Sequence, residues 1–230
     1  MISFLIGRNI MRYKTPSGWT FIDHETLSLW DTSIIAMTGV CYISDAELKQ
    51  GHLNDSDALT LESLIERSTA WKFNVDEQVR LGRGVSKSAM QFWKEQPEQV
   101  RDMIIKPKET DISIMEMFNL LQAYHIQYGT RLDQTRLIDR NNFDITKLQH
   151  LYMVTMGNDK SQARVQLPYN PYATWECSVM FKLFTGCRYA KLKPDDVNCE
   201  QFVYHHPAHD AALDAYRFML TFSGNDTIEG

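Results

Sequence analysis

The run Phe21-Ile22-Asp23-His24-Glu25-Thr26 places two carboxylates on alternate residues of what otherwise reads as a core β-strand. Side chains on a strand alternate between its faces, so Asp23 and Glu25 share one face while Ile22 and His24 share the other. Two neighbouring acids repel, and each raises the other's pKa unless positive charge lies between them. A divalent cation that prefers hard oxygen ligands, magnesium or manganese, relieves that repulsion. An edge strand with its polar face in water relieves it equally well. The pair alone therefore leaves a site and a wet surface both open.

Around this run the chain reads as strands first and then strand–helix alternation. Residues 19–23, the β-branched stretch 32–43 and residues 59–66 are expected as strands. The period then changes. Residues 86–93 and 97–103 fit short helices, with Ser86 as N-cap and Pro97 at a first helical position, and residues 111–122 carry apolar side chains at helical spacing. A strand at 134–138, a helix at 144–153, a strand at 175–177 and helices at 179–184 and 208–222 complete the pattern. This order reads as an α/β fold, a mixed sheet with helices on its faces. The first 17 residues read as an arm ending at the turn signal Pro16-Ser17-Gly18, and residues 18–230 as a single domain.

Composition narrows the function. A net charge of −5 argues against a protein that coats long nucleic acid through broad phosphate contact, yet suits an enzyme that grips a few nucleotides. No apolar run approaches a membrane span, and the N-terminal residues lack the order of a signal peptide, so a cytoplasmic protein without a membrane partner is expected. The four cysteines show no metal-binding spacing and no disulfide framework.

Two later segments add chemistry. Arg140-Asn141-Asn142-Phe143-Asp144 lies at a strand-to-helix junction, where Asp144 is either a helix cap or a site residue. His205-His206-Pro207-Ala208-His209-Asp210-Ala211-Ala212-Leu213-Asp214 gathers three of the seven histidines just before the most amphipathic helix. Asp210 and Asp214, at i and i+4, share one face of that helix, and the alanines let it pack close to a sheet. The alternatives there are a solvated helix start and a histidine-based zinc hydrolase.

Together, D-x-E on a first strand, an Asp after a later strand and H-x4-D opening a late helix resemble the DEDD superfamily of 3′-5′ exonucleases, in its histidine-bearing (DEDDh) subgroup. Within it the nearest likeness is to the phage exonuclease A (DexA) type. Asp23 to Leu27, Asn142-Phe143-Asp144 and His205 to Asp210 match its three motifs, and Gly82-Arg83, Phe92-Trp93, Gln96 and Arg101 resemble its intervening text. Two places depart from the pattern: His24 stands where an apolar residue is usual, and Asn141-Asn142 replaces the usual pair before the second motif.

The resemblance implies an RNase H-like exonuclease fold and two-metal phosphodiester hydrolysis, with two Mg²⁺ or Mn²⁺ ions about 3.5–4 Å apart. It implies that Asp23 bridges both ions, that Glu25 and Asp210 complete the site of the ion carrying the attacking water, and that Asp144 serves the second. It makes His205 the general base, and Thr26, Leu27 and Asn142 contacts to the substrate. Arg83, Lys87 and Arg140 are candidates for phosphate contact or plain surface charge. The implied partner is a nucleic-acid 3′ end, single-stranded DNA before RNA. Relatives of this kind are often homodimers, and a phage-encoded member would work in the host cytoplasm. The competing readings are an RNase H-type endonuclease and a nucleic-acid-binding module that has lost catalysis.

Overall fold

The acid-bearing strand forms the centre of the sheet. In the computed structural model, which describes residues 16–50, 59–156, 167–190, 192–193 and 196–222, β1 (Gly18–Thr26) lies third among five strands. The order is β3-β2-β1-β4-β5, with β2 at Ile35–Ser44, β3 at Thr69–Lys72, β4 at Arg136–Asp139 and β5 at Thr174–Glu176. β1, β2 and β3 pair antiparallel, whereas β4 and β5 run parallel to β1 and to each other.

Nine helices are seen among the described residues: α1 (Asp45–Gln50), α2 (Leu61–Arg67), α3 (Val75–Arg80), α4 (Lys87–Glu95), α5 (Glu98–Ile105), α6 (Ile114–Ile126), α7 (Phe143–Thr155), α8 (Cys177–Thr185) and α9 (Pro207–Phe222). None is long and apolar enough to cross a membrane.

Alternation on β1 and β2 divides the core. Phe21, Cys41 and Ile43 pack against α9, whereas Ile22, Val40 and Tyr42 pack against residues of α6 and α7. Each such fully buried side chain contributes about 1.5–3 kcal/mol. A third cluster joins Leu27, Ile34 and Met37 to Trp93, Val100 and Ile104 of α4 and α5.

One glycine sets the approach of α9. Gly39 pairs with Asp23 across the β1–β2 ladder, and a Cβ there would lie 2.0 Å from the Pro207 carbonyl carbon and 2.1 Å from the Ala208 nitrogen. The first turn of α9 thus rests directly on the strand backbone. Ala208, Ala211, Ala212 and Ala215, all buried, keep the rest of the helix close.

Most expected elements are present with ends shifted by a few residues, but residues 59–66 form no strand. Thr60 caps α2, its hydroxyl accepting from the Ser63 N–H, and Leu61 and Leu64 are buried one turn apart. The apolar positions were helical in period, and the edge strand β3 follows immediately. Pro97 is the N-cap of α5 and not its first residue, while Ser86 caps α4 as its sequence indicates. Residues 1–15 of the expected arm lie outside the described residues.

Candidate active site

Three separate elements bring four acids together. Asp23 and Glu25 come from the end of β1, Asp144 from the first turn of α7 and Asp210 from the first turn of α9. Asp144 Oδ1 accepts from the backbone N–H of His24 at 3.1 Å, which ties α7 to the acid-bearing strand.

The capping question at α7 has a definite answer. The carboxylate that caps this helix belongs to Asp139, whose Oδ2 accepts from the N–H groups of Asp144 and Ile145 at 2.9 and 3.0 Å. Asp144 is therefore released from capping and faces the site. Sequence reasoning missed Asp139, although an acid ending a strand a few residues before a helix is a readable signal. Asn141 and Asn142 take left-handed backbone conformations, φ 62° and 53°, which asparagine tolerates better than most residues. Asn142 is exposed in that turn, and its carbonyl accepts from the Thr146 hydroxyl.

The loop before α9 separates the three histidines. His205 has φ 59°, and its N–H donates to Asp210 Oδ2 at 3.0 Å. Its Nδ1 lies 3.6 Å from Glu25 Oε1, and its ring stands edge-on to Phe92 and Trp93, with centroids 5.2 and 5.9 Å away. His206 and His209 stack on each other instead, at 4.1 Å, and His209 Nδ1 accepts from the Val203 N–H. Of the three, His205 alone joins the acids. Glu25, His205 and Asp210 each offer a ligand atom within 4.8 Å of the others, a spacing one metal ion can span.

Electrostatics agree with a cation-binding role. Burial, then the charges of Asp144, Glu25 and Asp210, raises the Asp23 pKa well above the carboxylate range. Asp144 is raised by burial and by Asp139, with Lys147 opposing. Asp210 is pushed up to about 8, by burial first and then by Glu25. Burial also raises Glu25, while His205 pulls it down, and Glu25 in turn raises His205. Clustered carboxylates whose pKa values burial and mutual repulsion raise give up their protons in exchange for a divalent cation. Oxygen donors of this number suit a hard ion such as magnesium or manganese.

Glu25 and His205 separate two cavities. One, of about 350 Å³, is lined by Thr26, Leu29, Phe92, Trp93 and Phe143. The other, of about 250 Å³, is lined by Asp23, Asp210, Arg140, Tyr189, Asp214 and Arg217. Thr26 therefore stands at a cavity wall, whereas the Leu27 side chain is in the core with Trp93. Arg83 is buried and donates to His150, Lys87 is exposed, and Arg140 is paired with Asp214.

His24 also finds an explanation. It is 4% exposed on the face opposite the acids, where its Nδ1 and the Thr38 hydroxyl share a 2.9 Å hydrogen bond. Burial, followed by the nearby Lys147, pushes its pKa down to about 3, so the ring stays neutral. It is a hydrogen-bonded core residue linking β1 to β2.

No family model matches the sequence, and no curated protein matches it. Among solved structures, the chain is similar to a moderately thermophilic exonuclease I from Methylocaldum szegediense, at 12% identity and a TM-score of 0.53, over 92% of this chain and 41% of that one. It is also similar to cell-death related nuclease 4 (CRN-4), at 11% identity and a TM-score of 0.43, over 89% of this chain and 63% of that one. A zinc-bound complex of E. coli exonuclease I with single-stranded DNA gives 15% identity and a TM-score of 0.43, over 89% and 39%. The chain spans less than half the length of the exonuclease I structures it matches. The mixed five-stranded sheet with its flanking helices is the RNase H-like fold of the first of these exonucleases.

Proposed function

We propose that this chain is a metal-dependent 3′-5′ exonuclease of the histidine-bearing DEDD subgroup, near the phage exonuclease A type, with residues 18–230 as its catalytic domain. The observation that carries this reading is the meeting of His205 with Glu25 and Asp210 beside Asp23 and Asp144, from three elements distant in sequence. A fold could satisfy each of these acids singly at its surface. Gathering them where they raise one another's pKa is costly unless cations are held there.

Asp23, Glu25, Asp144 and Asp210 would hold two Mg²⁺ or Mn²⁺ ions, Asp23 serving both. Such ions supply an activated water at neutral pH and charge stabilisation for the leaving oxygen. His205, half-exposed on its loop and anchored through its N–H to Asp210, accepts the proton of the attacking water. Glu25 raises the His205 pKa in the metal-free protein, and a cation held by Glu25 and Asp210 would weaken that pull and favour the neutral ring that accepts a proton. Phe92, Trp93 and Phe143 offer an apolar wall to the terminal base, and Thr26, its hydroxyl donating to the Ser28 carbonyl, lines the cavity beside it. A cavity of this size accepts one frayed nucleotide, which suits a single strand; the proposed substrate is single-stranded DNA, with RNA as the alternative. Asn142, exposed in the turn before Asp144, is placed to meet the same strand end.

The test is incubation of 5′-labelled single-stranded DNA and RNA oligomers with Mg²⁺, Mn²⁺ or EDTA. Stepwise shortening from the 3′ end that EDTA abolishes is the expected result. Internal cuts would replace the reading with an endonuclease, and binding without cleavage with a binding module.

A further inference from the structure

The smaller cavity sets two guanidinium groups, Arg140 and Arg217, on a single carboxylate, Asp214, beside the acids Asp23, Glu25 and Asp210. Arg140 donates through Nε to Asp214 Oδ2 at 3.2 Å and through Nη2 to Oδ1. Arg217 donates through Nη1 to the same Oδ1 at 3.1 Å and through Nε to the Leu192 carbonyl at 3.0 Å. One carboxylate thus serves two guanidinium groups. Arg217 is 4% exposed, yet its Nη2 has no hydrogen-bond partner among the described residues. An exposed third guanidinium, Arg188, joins these two around the Tyr189 ring, all three lying 5.2–5.3 Å from its centroid.

An unsatisfied donor on a buried cation is expensive, and native proteins retain one where a ligand completes it. Asp23 and Asp210, which also line the cavity, cannot complete it once they are committed to cations. With two divalent ions neutralising Asp23, Glu25, Asp144 and Asp210, Asp214 balances only one of the two guanidinium charges. A phosphate oxygen matches the fork geometry of a guanidinium and supplies the missing charge.

From these contacts we infer that Arg140 and Arg217 form a second phosphate subsite, which grips the phosphodiester immediately 5′ to the scissile one. This rests on the function proposed above. With the terminal nucleoside in the apolar cavity and the scissile phosphate at the acids, the remaining strand leaves through the cavity on the other side of Glu25 and His205. Asp214 holds the two guanidiniums in place, and Tyr189 gives them a surface to lie on. The subsite makes the enzyme measure charge one linkage upstream of the cut.

The experiment uses 5′-fluorescein single-stranded oligomers carrying one neutral methylphosphonate, at the linkage adjacent to the terminal one or at a linkage far from the 3′ end. Affinity is read by anisotropy with calcium in place of magnesium, and shortening is read separately with magnesium. The adjacent neutral linkage should weaken binding about tenfold relative to the distant one. That difference should collapse in Arg140→Gln and in Arg217→Gln, with thermal melting used to check that each variant folds. Equal affinity for the two oligomers overturns the subsite, whether or not the unmodified oligomer is shortened. A failure to shorten the unmodified oligomer overturns the proposed activity and leaves the affinity comparison valid.

Discussion

The two cavities that meet at Glu25 and His205 are made from opposite materials. The larger is walled by Phe92, Trp93 and Phe143, carried by α4 and the start of α7. Its rigidity is ordinary core packing: Trp93 is 1% exposed, and its Nε1 donates to the Thr26 carbonyl at the end of β1. The smaller is walled by charges, three of them in an Arg140–Asp214–Arg217 network beside Asp23 and Asp210. Apolar burial holds a base by shape and without regard to salt, whereas a phosphate is held by charge that salt screens. A strand end laid across both would be positioned by two independent forces, with the reactive linkage between them.

This division can be broken most severely at the acids. Asp210→Asn should lower kcat by about 10³-fold, since it removes a metal ligand from the reacting centre. The same variant should melt higher than wild type at pH 8 without metal, because it deletes a carboxyl whose ionisation the fold opposes. Loss of activity together with lowered stability would show instead that Asp210 is structural. At the boundary of the cavities, His205→Ala should slow the reaction about 10²-fold, and His206→Ala and His209→Ala by much less. Equal losses for the three would remove His205 from its role. On the apolar side, Phe92→Ala should raise KM a few-fold with little change in kcat, and this rise should be insensitive to salt. A salt-dependent effect of Phe92→Ala would mean that the two cavities are not separate in function.

Much of this centre was legible in the sequence because its parts follow local rules. Period-two alternation placed Asp23 and Glu25 on one face, and helical spacing with alanines placed Asp210 at the start of a closely packed helix. Other features depended on pairing that no local pattern reveals. Asp139 takes the capping role that leaves Asp144 free, and only the fold shows which acid does which. Gly39 admits α9 because it has no Cβ, and it does so opposite Asp23, a register that its own neighbourhood does not specify. Residues 59–66 were misread because Leu59, Leu61 and Ser63 alternate by chance, while Leu61 and Leu64 answer to the helix. The arginine network was hidden for the same reason as Asp139: Arg140 and Arg217 are 77 positions apart (217 − 140) and share a carboxylate on α9.

Metal-free, the centre should be a burden that pH exposes. Its four carboxyl groups titrate above their ordinary range, Asp210 near 8. The fold therefore keeps protons that the unfolded chain gives up from about pH 4 upward. Stability without metal falls as pH rises from there through about 8. A divalent cation must displace those protons to bind. The most direct measurement is calorimetric titration of Mn²⁺ into the protein at pH 7, in two buffers of different ionisation enthalpy. Saturable binding that releases about one proton or more per protein, and that is lost in the Asp23→Asn, Asp210→Asn double variant, is the predicted result. No saturable binding, or binding that releases no protons and survives in the double variant, would contradict the existence of a metal centre at these acids.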